Sequence, residues 1–169
     1  AVWVQQGSTV DLWARPYDPQ AGWGAAARVD TADGMVGEAR VGMDAQGQAV
    51  AVWSQVGPST RWSIYASRRP AGGTWTTPAL LENNEVVGSQ DSGPALAVAA
   101  SGEALVAWNR ANGAQSSLWG SRLNSAGSWS TAVELVADSG AQQSLGRYDL
   151  AVDRQGNGLL AGQLHDLAW

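Results

Sequence analysis

Apolar and polar residues alternate along most of this chain, and the alternation returns in copies. Val41 to Gln55 reads VGMDAQGQAVAVWSQ, Leu96 to Arg110 reads LAVAASGEALVAWNR, and the segment from Leu150 reads LAVDRQGNGLLAGQL. In each copy a short apolar run meets a glycine turn, and a second apolar run ends near a tryptophan. The end of the pattern alone opens the chain as Ala1-Val2-Trp3. A period of two with glycine punctuation predicts short strands and tight turns. No window shows a 3.6-residue apolar period, so little helix is expected.

The copies keep a fixed internal spacing. The turn glycines Gly47, Gly102 and Gly156 lie 55 and 54 residues apart. Leu12 to Trp23, Ile64 to Trp75 and Leu118 to Trp129 are each 11 residues. Four strands per unit follow. The first begins at Val41, Leu96 and Leu150. The second spans Ala49 to Trp53, Ala104 to Trp108 and Gly158 to Gly162. The third begins at Leu12, Ile64 and Leu118, and the fourth at Trp23, Trp75 and Trp129. Loops are expected over Thr31 to Glu38, Asn83 to Gly93 and Asp138 to Arg147. Units fall at about 1–40, 41–95 and 96–149, with a partial one at 150–169, in a single repeat domain.

Four antiparallel strands in about 50 residues match one blade of a β-propeller, and such sheets must stack to bury both faces. The expected fold is therefore all-β and propeller-like. The Asp-x-x-Gly-Asn turn in LAVDRQGN resembles the first hairpin of NHL-type bacterial propeller repeats. The fourth-strand motif Trp75-Thr-Thr-Pro-Ala-Leu80 is similar to that of secreted propellers. This resemblance implies a bacterial protein working outside the cytoplasm. Three units are few for a closed ring. The spacing favours a part of a longer propeller over self-association that completes a ring, and over an open fold.

Composition narrows the function. The 169 residues carry net charge −5, and all ten basic residues are arginine. No basic stripe for nucleic acid is present. No apolar run is long enough for a membrane helix, so no membrane insertion is expected. Cysteine is absent, which removes disulfides and thiolate metal sites.

Asp44 and Asp153 offer one carboxylate per turn, and the middle copy has Ala99, so they are read as turn caps rather than calcium ligands. Trp3, Trp53 and Trp108 share one slot and read as packing between blades. Trp13, Tyr65 and Trp119 share the third-strand slot, where packing is the simpler role and stacking of indole or phenol faces on sugars is the functional one. Arg68 and Arg122 occupy equivalent positions, with salt bridging the simpler role. Arg61-Trp62 reads as a loop insertion, and a loop tryptophan is a contact candidate. His165 is a lone histidine, and Trp169 ends the chain.

No nucleophile, metal or phosphate motif is present, and no cofactor is expected. These features lead to a non-catalytic binding or scaffolding module whose ligand is a glycan or another protein. The competing readings are part of a propeller glycoside hydrolase, sialidase-like, and a purely structural spacer. A hydrolase requires paired carboxylates in the central funnel, roughly 5–9.5 Å apart.

Overall fold

The computed structural model describes residues 1–31, 33–57, 60–82, 89–113, 115–137 and 143–166. All fifteen elements among them are strands. In chain order they are β1 (Val2–Gln6), β2 (Val10–Ala14), β3 (Tyr17–Asp18), β4 (Gly22–Trp23), β5 (Ala27–Arg28), β6 (Val36–Met43), β7 (Ala49–Val56), β8 (Trp62–Arg69) and β9 (Ala79–Leu80). Then come β10 (Ser89–Val98), β11 (Ala104–Asn112), β12 (Gln115–Leu123), β13 (Val133–Val136), β14 (Gln143–Val152) and β15 (Gly158–Asp166).

Two four-stranded antiparallel sheets, β6-β7-β8-β9 and β10-β11-β12-β13, are complete blades. The sheet β1-β2-β5 precedes them, carrying the small β3-β4 ribbon, and the β14-β15 hairpin follows. We number these four sheets blades 1 to 4. The turn glycines have φ of 81° at Gly47, 91° at Gly102 and 85° at Gly156, a region that side chains rarely adopt.

The core lies in the seams. Leu12, Ala14 and Val29 of blade 1 meet Val36, Ala51 and Trp53 of blade 2. Val50, Val52, Ile64, Ala66 and Leu81 on the other face of blade 2 meet Ala104, Val106, Trp108, Leu123 and Ala132 of blade 3. Along β7 the side chains alternate between these two seams, which is why Ala49 to Gln55 are all buried. Trp53 and Trp108 are fully buried, each facing the preceding blade. At 150–250 Å² of ring, such burial is worth about 4–6 kcal/mol.

The strand boundaries differ from the sequence expectation in two ways. The inner strands begin earlier, at Val36, Ser89 and Gln143, and take up residues expected in loops. They pair through a β-bulge in each blade, between Val36 and Ala39, Ser92 and Ala95, and Leu145 and Tyr148. A bulge breaks the strict period of two and so hides the strand from pattern reading. The fourth strands start later than Trp75 and Trp129, at Ala79 and Val133. Trp23 pairs instead with Tyr17 in the ribbon, where the rings meet edge to face at 5.2 Å.

Candidate active site

Each bulge re-aims two or three residues of an inner strand, and the three inner strands stand side by side. Register aligns them. Arg40, Ala95 and Asp149 pair with Val52, Ala107 and Ala161, each one residue before the tryptophan slot of the second strand. Two residues upstream stand Glu38, Gly93 and Arg147. The middle blade thus supplies a glycine and an alanine where its neighbours supply charged side chains.

The result is a groove of about 820 Å³. Its floor is Gly93, Pro94, Ala95 and Leu96, and its walls carry Glu38 and Arg40 on one side and Arg147, Tyr148 and Asp149 on the other. The charge order is reversed between the walls, Glu-x-Arg against Arg-x-Asp.

Several contacts fix the walls. The Glu38 backbone N–H donates to Ser54 Oγ at 3.1 Å. Arg40 lies 3.7 Å from Glu38 and donates to the Ala39 carbonyl at 3.0 Å. The Tyr148 hydroxyl donates across the seam to the Gly93 carbonyl. Burial pushes that hydroxyl up to about 12, and the nearby Glu38 charge adds to the shift. Tyr148 therefore stays protonated at working pH and holds its wall against the floor.

The residues singled out in the sequence lie elsewhere. Trp13, Tyr65 and Trp119 pair with Trp3, Trp53 and Trp108 on the blade faces, half-buried and on separate blades. Tyr65 stacks on Trp53 at 6.1 Å, and Trp119 lies under the Arg110 guanidinium at 4.2 Å. Arg122 bridges to Glu103 at 2.7 Å, and Arg68 reaches the Gly127 turn of blade 3. Trp62 is the first residue of β8 rather than a loop residue. Its half-buried ring rests on Gly37, where a Cβ would come within 2.8 Å of it. That glycine immediately precedes Glu38, so Trp62 backs the Glu38 wall.

His165 falls within β15, opposite Ser144, and Trp169 lies outside the described residues. Asp44 caps its own turn, accepting from the Gln46 and Gln48 backbone N–H groups at 2.9 and 2.8 Å and from Gln48 Nε2 at 2.9 Å. Asp153 repeats this with Gln155 and Asn157, and those bonds hold its carboxyl below the usual range.

Glu38 and Arg147 fall in segments whose pattern reads as loop, so the sequence alone does not bring the groove residues together. The available signal was the clash of charge with glycine, Glu38/Gly93/Arg147, at one slot of an otherwise apolar repeat.

No family model matches the chain, and no curated protein matches it. Among solved structures it is similar to an alpha-L-arabinanase from Penicillium chrysogenum complexed with arabinobiose. The identity is 12%, the TM-score is 0.54, and the match covers 94% of this chain and 52% of that one. The fold is propeller-like. The chain thus spans about half the length of that neighbour.

This likeness removes the ground for expecting a protein that is not an enzyme, because a neighbour sharing the fold is an arabinanase. The expectation rested on the lack of a unique acidic pair in the repeats. Glu38 and Asp149 both line the groove, in slots where the repeat does not hold.

Proposed function

We propose that this chain is a glycan-processing sector of a propeller glycoside hydrolase, with the groove between the inner strands as its sugar site. One observation carries the reading. Glu38 and Asp149, two carboxylates from different blades, line the same groove across a floor of Gly93 and Ala95. Glycoside hydrolysis calls for two carboxyl groups flanking the scissile bond, one to protonate the leaving oxygen and one to attack or to activate water. The small floor residues leave room for a sugar ring between them. Arg40, Arg147 and Gln163 supply donors for sugar hydroxyls. The arabinanase similarity supports the reading at the level of fold.

In this reading the ligand is an oligosaccharide and the setting is extracytoplasmic, as the resemblance to secreted propellers implies. Self-association remains compatible with it.

The test is reducing-end release from a panel of neutral oligosaccharides, arabino-oligosaccharides included, with binding followed by calorimetry. Cleavage is expected, and Glu38→Gln and Asp149→Asn should each lower it by about 100-fold or more while the melting temperature holds. If no oligosaccharide is bound or cleaved, or if both variants cleave as wild type does, the reading is wrong.

A further inference from the structure

The two described seams on either side of blade 2 are built on one frame but carry different charges. In both, a carboxylate just beyond the fourth strand caps the third. Asp30 accepts from the Leu12 backbone N–H at 2.7 Å, and Glu82 accepts from that of Ile64 at 3.2 Å. In the first seam Asp30 has a guanidinium on its own blade, Arg28, at 2.9 Å. The facing inner-strand residue is Val36, and Gln55 takes the Trp53 indole N–H at 2.9 Å.

In the second seam all three partners change. The place of Arg28 is taken by Leu80, that of Val36 by Asp91, and that of Gln55 by Arg110. Glu82 now hydrogen-bonds to Asp91 of the next blade as well as to Ser63. Asp91 is held by Arg110, with Nε at 2.9 Å and Nη2 at 3.4 Å. Glu82, Asp91 and Arg110 are all at least 94% buried.

Two buried carboxyl groups therefore meet in one seam, where Asp91 alone is bonded to the Arg110 guanidinium. Were both ionised, the cluster would hold an unbalanced buried negative charge, which is costly. A carboxylic acid that donates to a carboxylate removes that charge with one proton. Among the described residues, the other charged groups at this end are Glu134 on β13, which lines the cleft beside Arg110, and Arg61 just ahead of β8. The neighbours on β8, Ser63 and Ile64, carry no charge. The Trp108 indole N–H in the same seam has no acceptor among the described residues, since Arg110 occupies the slot that holds Gln5 in blade 1 and Gln55 in blade 2. This seam lacks a bond that the first one has.

We propose that Glu82, Asp91 and Arg110 form a single-proton latch that closes the seam between blades 2 and 3 and loosens it when the proton is lost. Burial, then the bond to Asp91, pushes the Glu82 carboxyl up to about 8. The folded chain therefore keeps a proton that the unfolded chain has released. The stability tied to it is complete below the ordinary carboxylate range and is lost as pH rises towards 8. The floor of the groove begins two residues after Asp91, so the latch sits beside the site. The inference does not depend on the glycan reading.

The experiment is thermal unfolding of wild type, Glu82→Gln and Asp91→Asn at pH 6 and pH 9, with acrylamide quenching of indole fluorescence. Wild type should lose roughly 5 °C between the two conditions and gain quenching at pH 9. Glu82→Gln, whose amide donates permanently to Asp91, should lose little and melt above wild type at pH 9. Asp91→Asn removes the second negative charge and should flatten the same slope, which keeps the test valid if one variant fails to fold. A wild-type melting temperature that is level from pH 6 to pH 9 overturns the latch. So does a slope that survives in every variant that folds.

Discussion

Trp53 and Trp108 occupy the same slot, and both are fully buried, yet their indole nitrogens are not treated alike. Trp53 donates to Gln55, whereas Trp108 has no acceptor among the described residues. A lost partner for a buried donor costs about 1–3 kcal/mol. Replacing each by phenylalanine removes similar ring area, so the difference between them isolates the hydrogen bond. Urea unfolding should find Trp53→Phe more destabilising than Trp108→Phe by about 1 kcal/mol. The slot itself was legible, because a large aromatic recurring at fixed spacing has few roles other than packing. The difference in bonding was visible two residues on, in Trp-x-Gln against Trp-x-Arg, but its meaning required knowing that Asp91 stands across the strand.

Among elements, the carboxylate cap beyond the fourth strand ties strand three to the seam. Asp30 is buried and serves both Leu12 N–H and Arg28. Asp30→Ala leaves a buried N–H without its acceptor, while the exposed Arg28 guanidinium keeps Asp11, and should cost about 1–3 kcal/mol by chemical denaturation. Second and third strands were readable from alternation and from the aromatic pairs they carry. Inner strands were half readable. Their apolar ends, Val41 to Met43 and Leu96 to Val98, declared themselves. Their bulged beginnings carried Glu38, Gly93 and Arg147 and read as loop. The same bulges that obscure the strand turn those residues into the groove, so the candidate site and the misread boundary have one physical cause.

At the scale of the molecule, the seams decide how separate sheets act together. Blade 4 is joined to blade 3 partly through Tyr148, whose hydroxyl reaches the Gly93 carbonyl. Tyr148→Phe should raise the rate of limited proteolysis within the β14-β15 hairpin severalfold and leave blades 2 and 3 protected, since their shared core lies apart from it. Mass spectrometry of the fragments would show whether cleavage is confined there. Fold class was recoverable from repetition because repeats are what stacked sheets require. The site was not, because it lies where the repeat fails. The reversed charge order on its walls has an electrical consequence. Two carboxylates and two guanidiniums sum to zero, and like charges stand diagonally, so the groove is a quadrupole. Its field fades within a short distance even though the chain as a whole carries net charge −5. A neutral ligand would enter without long-range steering, at an association rate nearly indifferent to salt.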